Sequence, residues 1–416
     1  MAAAAGGALA GVLYEPVLVP AGLGVAPPLD PGDWGSVRAQ FALPEGVTNL
    51  STFYFASHAA TVRAAIDRHR AGLDADPLGY VNANQSSQDD RVARAAATYL
   101  DTNASQIAFT DSTTMGLGLV YSGLRLAPGD EVLTTEHDFY ATHESLRLRG
   151  IRDGTRLRRV RLYDAPERAD PQEMVNRLVA ALKPTTRLLA ITWVHSSTGV
   201  RLPVRQIADA VASVNSTRPE TERTLVCLDG VHGFGAEDST PQALGVDFLI
   251  TGTHKWLFGP RGTGLIWGRP EAWSRFTPII PSFVDTTGAA PGPWSTPGGF
   301  HSFEHRWALA EAFQLHLTIG AGRVAARTRE LANALKEGLA SIRSVRLRTP
   351  RGKEASAGLV CCEVDGYGPD EAVARLRGAK VISSATPYQP SYLRFGPTII
   401  NSESDIEAAL AAVRAL

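Results

Sequence analysis

Cysteine is scarce in this chain, with three among 416 residues. Cys227 lies inside an apolar run, and Cys361 and Cys362 are neighbours that strand geometry would point to opposite faces. Such a set offers no disulfide framework; it is expected of reduced, buried thiols in a cytoplasmic protein. A surplus of one charge is missing as well, since 41 Lys and Arg stand against 42 Asp and Glu. With no global field to attract them, nucleic acid and anionic membrane are not expected partners, and a small-molecule substrate is. The apolar N-terminus has no Lys or Arg before Arg38 and is broken by Pro16 and Pro20. Residues 1–32 therefore read as an irregular lead segment, neither a signal peptide nor a membrane span.

What the chain does have is a repeated grammar. Five short apolar runs end in polar or small residues: "QIAFTDSTT", "EVLTTEHDF", "RLLAITWVHSSTG", "TLVCLDGVHGFG" and "DFLITGTHKW". Each fits a buried parallel strand. Stretches with helical spacing, such as "MGLGLVYSGLRL" and "DPQEMVNRLVAALK", lie between most of them. The fold class is therefore α/β, with a largely parallel sheet and its ligand crevice outside the carboxyl ends of the strands. A Pro/Gly-rich connection follows residue 270, too long for a turn and expected to cover a site or an interface. From about Phe303 long helical patterns lead into the strand candidates "VRLRT", "GLVCCEV" and "SYLRFGP", which suggests a compact α+β C-terminal domain.

Two charges stand at strand ends. Asp229 closes "LVCLDG", where a buried carboxylate asks for a cation, and Lys255 closes the next apolar run. A surface loop charge is the ordinary reading of either alone. Together they match what pyridoxal phosphate requires, a partner for the pyridinium nitrogen and an amine for the aldehyde. Ser112, Thr113 and Thr114 stand where a strand turns into a helix, either an anion site or an ordinary N-cap. "HSFEH" (His301 to His305) also fits an inverted zinc-peptidase pattern with Glu304 as base, but no third-ligand context follows, and no metal is expected.

"DGVHGFG" followed by "TGTHKWLFGPRGTG" resembles the signature of class V pyridoxal-phosphate enzymes of fold type I, which include cysteine desulfurases and isopenicillin N epimerase-like proteins. The resemblance runs from about Asp33 to the C-terminus. It implies a large domain (33–300) around a mainly parallel seven-stranded sheet, whose first part packs with a small α+β domain (301–416). It also implies a homodimer with shared active sites. Lys255 matches the Schiff-base lysine, Asp229 the pyridine-nitrogen partner, and His232 the contact to the phenolic oxygen. Thr113 and Thr114 match the phosphate pair, helped by Ser112, Thr253 and His254, and His137 matches the imidazole stacked on the ring. Arg394 resembles the arginine that holds a substrate carboxylate, with Ser196 placed on the substrate side. His305 or Arg306 is expected to serve the partner's site.

The departures bear on the reaction. The stretch "AKVISSATPYQPSYLR", where desulfurases carry a mobile cysteine, has none. Phe53, Tyr54 and Phe55 stand where relatives present a small Asn/Gly-rich turn, either as core packing or as the wall for a bulky substrate. The expected reaction is carbon-sulfur β-elimination or decarboxylative oxidative deamination of an S-substituted cysteine. It resembles the sulfoxide lyase of ergothioneine synthesis and the thiosugar-processing enzymes of lincosamide pathways. An epimerase or aminotransferase on the same scaffold is the alternative.

Overall fold

The computed structural model of the protein describes residues 27–284 and 288–416. Most of the lead segment anticipated over residues 1–32 lies outside the described residues. Eight strands precede the C-terminal region: β1 (Thr48–Asn49), β2 (Ile107–Thr110), β3 (Glu131–Thr135), β4 (Arg156–Val160), β5 (Thr186–Thr192), β6 (Leu225–Asp229), β7 (Phe248–Gly252) and β8 (Gly264–Gly268). Seven of them form one sheet in the order β2-β8-β7-β6-β5-β3-β4. All neighbours are parallel except β8, which runs antiparallel to both β2 and β7.

The strands read as continuous apolar runs because both faces of the sheet are covered. Alternate residues go to opposite sides. Leu189, Ile191, Val226, Leu228 and Leu249 enter one core, whereas Leu188, Ala190, Cys227, Phe248 and Ile250 enter the other. Edge strand β4 is different: its "RLRRV" is exposed or half-buried throughout.

The C-terminal strands are β9 (Val345–Leu347), β10 (Val360–Val364), β11 (Val381–Ile382), β12 (Ser384–Ala385) and β13 (Leu393–Phe395). Four of them build an antiparallel sheet in the order β12-β13-β10-β9. β11 instead pairs in parallel with β1, and Leu50 joins the third core together with Leu331, Leu335, Val360 and Phe395. The helix Phe303–Ile319 packs against Ala60–Ala75 and Pro77–Leu100 in the large core. Along the following helix, Ala321–Ala340, Val324 still belongs to that core while Leu331 belongs to the small one. In place of a boundary at residue 301 we propose a division by core, which passes through this helix.

Glu237 ties the two units together. Its buried carboxylate receives Arg201 and Arg329 at 2.9 Å each, the first from the loop after β5 and the second from the helix Ala321–Ala340. Removing the acid leaves two guanidinium groups without their shared partner, and both reach water in part, which softens the loss. Glu237→Ala is expected to lower unfolding free energy by roughly 2 kcal/mol. A shift in the urea midpoint at unchanged slope measures it.

Candidate active site

The polar tails of β2, β5, β6 and β7, with the loop beyond β3, meet in one cavity of about 210 Å³. Thr113, Thr192, Ser196, Asp229, Lys255 and Arg394 are among the residues lining it. Lys255 sits three residues beyond β7, in a loop closed by Thr253 N–H donating to Thr263 O at 3.1 Å and Gly259 N–H to Thr253 O at 2.9 Å. Phe258 in this loop adopts φ 59°, a costly conformation for a bulky side chain. The buried Phe258 ring, 5.0 Å from Phe41, and the bond from its own N–H to Lys255 O hold it there. The loop after β6 packs against this turn through Gly235 (φ 82°), where a Cβ would lie 2.7 Å from Leu257 N.

Asp229 is 1% exposed, and its carboxylate has one hydrogen bond among the described residues, from Val231 N–H at 3.0 Å. Burial pushes its pKa up to about 7; the Val231 bond opposes this, the nearby Asp138 carboxylate adds to it, and Lys255 opposes it. The Lys255 amine makes no hydrogen bond or ion pair among the described residues; its Nζ lies 5.7 Å from the Tyr54 ring centroid. Burial lowers its pKa to about 8, the Arg394 charge adds to the fall, and Asp229 resists it. An acid and an amine, each short of a partner, thus face one cavity.

Arg394 comes from β13 of the small sheet and is 2% exposed. Its Nη1 donates to Ser196 O at 2.9 Å and its Nε to Ser384 Oγ at 3.1 Å, while the guanidinium lies 4.9 Å above the Phe53 ring. Phe53 itself is buried, stacks on Trp256, and supports Arg394 without lining the cavity. Tyr54 and Phe55 do line it, and they are 49% and 57% exposed. The aromatic loop expected on the substrate side is therefore split between one support and two wall residues.

At the end of the cavity where the resemblance expects a phosphate, Thr113 opens the helix Thr113–Gly123, and its Oγ1 accepts Gly252 N–H at 2.7 Å, which leaves its hydroxyl proton free. Thr114 and His254 line the cavity beside it, and His254 Nδ1 is buried without a hydrogen-bond partner. Burial, then the Lys255 charge, lower His254 to about 4. Ser112 is the N-cap, its Oγ accepting Met115 N–H at 3.1 Å, and it does not line the cavity. Thr253 differs from expectation. Its side chain is buried against the Thr263 hydroxyl and fastens the lysine loop from outside the cavity. His232 lines the cavity, and its Nδ1 accepts Trp256 Nε1–H at 3.2 Å. Burial holds it well below the ordinary imidazole value.

His137 also needs correction. It is turned inward and stacked on Tyr163 at 3.8 Å, where its Nε2 accepts Leu162 N–H at 3.2 Å. The aromatic ring from this loop that lines the cavity belongs to Phe139. Asp138 explains the arrangement: its Oδ2 accepts Thr134 Oγ1–H and Thr135 N–H at 2.7 Å each, and its Oδ1 accepts Thr192 N–H at 2.8 Å. With the aspartate tied inward, its neighbour Phe139 faces the crevice. The signal in the sequence is the aromatic pair Phe139 and Tyr140 directly after Asp138.

His305 and Arg306 do not line this cavity. His305 Nδ1 lies 3.1 Å from Arg261 O, whereas Arg306 faces Asp111 at 3.7 Å and lies 5.2 Å from the Phe109 ring centroid. His301 precedes the helix that carries His305, and among the described residues no group of three or more His, Cys, Asp or Glu is placed to hold a metal. Cys227, Cys361 and Cys362 are all buried and free, and none lines the cavity.

These features fit pyridoxal phosphate. Asp229 lacks a cation, Lys255 lacks a partner, and Thr113, Thr114 and the unpaired His254 nitrogen gather at a helix N-terminus. The comparisons agree. The family model for aminotransferase class-V matches residues 82–391. Isopenicillin N epimerase of Streptomyces clavuligerus is 27% identical over 92% of this chain and 98% of its own length. A cysteine desulfurase of Serratia proteamaculans is 25% identical over 76% of the chain and 79% of its own length. Among solved structures, the cystine C-S lyase C-DES in complex with cysteine persulfide superposes with a TM-score of 0.81 at 22% identity, covering 89% of this chain and 98% of that one. C-DES with glycine covalently linked to its PLP cofactor gives 0.83 at 22% identity, over 91% and 98%. With three quarters of its length matched and its cavity furnished in this way, the chain belongs to the aminotransferase class-V family of pyridoxal-phosphate-dependent enzymes.

Proposed function

We propose that this enzyme acts at Cα of an amino acid, and that its reaction is carbon-sulfur β-elimination of an S-substituted cysteine. Lys255 and Asp229 hold the cofactor's two ends of reactivity, Thr113, Thr114 and His254 its phosphate, and Phe139 offers an apolar face. When bound, pyridoxal phosphate supplies an electron sink for charge developing at Cα.

The observation that carries the reading is the fixation of Arg394. Tied to Ser196 O and Ser384 Oγ, it retains its outer guanidinium edge for a substrate carboxylate. A carboxylate anchored by hydrogen bonds is poorly placed to leave, so the bond to break at Cα is the one to hydrogen. Lys255 is the general base for that proton because lowering its amine from 10.5 to about 8 raises the share of free base near neutrality to roughly a tenth, a few hundredfold more than in an ordinary lysine. With a thiolate at Cβ, its departure follows; water then completes the balance to free thiol, pyruvate and ammonia. The absence of any cysteine from the described cavity lining supports release of the thiol over capture of its sulfur.

Epimerisation is the second reading, favoured by the likeness to isopenicillin N epimerase over nearly the whole chain. It needs the same base and anchor but returns a proton to Cα. A homodimer belongs to the same proposal, with His305 and Arg306 directed toward the partner's site. Its support is an exposed apolar group around Phe283 and Phe300, whose rings lie 6.3 Å apart. No helix among the described residues is long and apolar enough to cross a membrane, and a cytoplasmic location remains part of this proposal.

Incubation with a panel of S-substituted cysteines, read by mass spectrometry, is expected to give pyruvate and free thiol in equal amounts, and Lys255→Ala is expected to lose at least 1000-fold in rate, on the order of 4 kcal/mol. Racemised amino acid without thiol would establish the second reading, and carbon dioxide release would displace both.

The lowered lysine gives a pH prediction. The free amine is the reactive form, so capture of pyridoxal phosphate by apoprotein should rise with pH, reach half-maximum near 8 and then level. Arg394→Gln removes a like charge and is expected to move that midpoint upward. Stopped-flow absorbance measures both; a wild-type midpoint near the ordinary 10.5 would refute the assignment of Lys255.

A further inference from the structure

Asp138 and Asp229 are 2% and 1% exposed, and Thr192 links them. Thr192 N–H donates to Asp138 Oδ1 at 2.8 Å, and Thr192 stands opposite Asp229 in the β5–β6 ladder. The donors around these two acids are unequally shared. Asp138 accepts three, from Thr134 Oγ1, Thr135 N and Thr192 N, whereas among the described residues Asp229 accepts Val231 N–H alone. The Thr192 hydroxyl, which lines the cavity beside Asp229, is buried without a hydrogen-bond partner and is not spent on it.

We propose that Asp138 is a positioning residue: paired with Asp229, it keeps one proton on that acid in the cofactor-free protein, so that capture of the cofactor is coupled to ionisation of Asp229. The coupling rests on the placement of Asp229 at the ring nitrogen in the reading above; the proton on the pair does not.

Neighbouring carboxylates in a low-dielectric interior resist ionising together, and the one with fewer donors takes the proton. A carboxylate offers about four lone-pair sites. Donors fill three on Asp138 and one on Asp229, so the proton belongs on Asp229. The imidazoles around Asp138 do not neutralise it. His195 Nε2 lies 3.9 Å from its Oδ1, but burial lowers that ring to about 3, and its Nδ1 faces the Tyr163 hydroxyl at 3.0 Å. Burial also lowers His137 to about 3 and lowers His143. It pushes up the phenols of Tyr121, Tyr163 and Tyr388, the last from the hairpin between β12 and β13, so these stay neutral as well. Lys255 is the cation that opposes protonation of Asp229, and burial and Arg394 weaken it. Beside a cationic ring nitrogen, Asp229 gives its proton to water, or to the ring nitrogen where that arrives unprotonated, and remains as the carboxylate of an ion pair.

Infrared difference spectroscopy of the whole apoprotein across pH reads the C=O stretch of a protonated carboxyl group. A band is expected that Asp229→Asn removes and that titrates away with a midpoint near 7. Asp138→Asn is expected to move that midpoint down by about one unit or more. Its amide can keep Thr192 N–H on the oxygen and turn the nitrogen toward Thr134 Oγ1, so only the bond from Thr135 N–H is lost. Asp138→Ser removes the same charge without an amide and should give the same shift, which keeps the test open if the first variant does not fold. A wild-type midpoint at the ordinary carboxylate value of about 4, or one that removal of the Asp138 charge leaves in place, would overturn the proposal. Adding pyridoxal phosphate below the midpoint should abolish the band. A band that persists in the loaded protein overturns the coupling, and with it the placement of Asp229 at the ring nitrogen, while the proton pair stands.

Discussion

A carboxylate at the end of a central strand, 1% exposed and bonded to one backbone N–H, is electrostatically unfinished. Asp229 cannot be satisfied by Lys255 alone, because the amine is itself pushed toward neutrality by burial and by Arg394. Each charge needs a third party, and the cavity between them is where it belongs. The surrounding structure maintains this imbalance. Asp138, clamped by β3 and β5, adds negative field to Asp229, and the Phe258 turn, bonded through its N–H to Lys255 O, fixes the lysine backbone at the cavity. A cationic ring nitrogen and an aldehyde would resolve both needs, and the cofactor of this family carries both.

The sequence shows this pair because strand ends are where polar residues interrupt apolar runs. Asp229 and Lys255 were legible for that reason, as were β2, β3, β5, β6 and β7. The two strands outside that grammar have physical causes. β4 is an edge strand whose "RLRRV" faces water, and β8 is a five-residue antiparallel insertion flanked by glycines that look like turn signals. Within the site, residue type misled where side-chain direction decides. His137 and Phe139 are two apart on one loop, and only the tethering of Asp138, three hydrogen bonds invisible in sequence, tells which of them enters the cavity. Thr253 shows the same ambiguity: a threonine beside the lysine has two directions, and the Thr263 hydroxyl takes it away from the cavity.

Arg394 raises a different issue, because it arrives from the small sheet. Its position depends on β13 and on the ladder that pairs it with Cys361, whereas the Ser196 carbonyl it grips belongs to the loop after β5. The site is therefore assembled across two cores, with Glu237 and its two arginines bridging the same divide elsewhere. On the proposed reading, a substrate held by Arg394 through its carboxylate and by the cofactor through its amine adds a further link across the divide.

That coupling bears on the choice of bond. In this family of reactions the electron sink is common to every outcome, so selectivity must come from what the chain holds still and what it leaves free. On the proposed reading the carboxylate anchor is held at both its Nε and Nη1, the base is an amine lowered to about 8 on the turn closed by Phe258, and the Tyr388 hairpin is closed by its own hydrogen bonds. Decarboxylation would demand that the carboxylate swing out of a buried guanidinium's reach, leaving that cation without its partner at a cost of several kcal/mol. Proton removal demands only that the hydrogen face Lys255. The energetic asymmetry between those two requirements resides in this chain's own side chains, which is why the argument for proton removal rests on Arg394 and its two tethers.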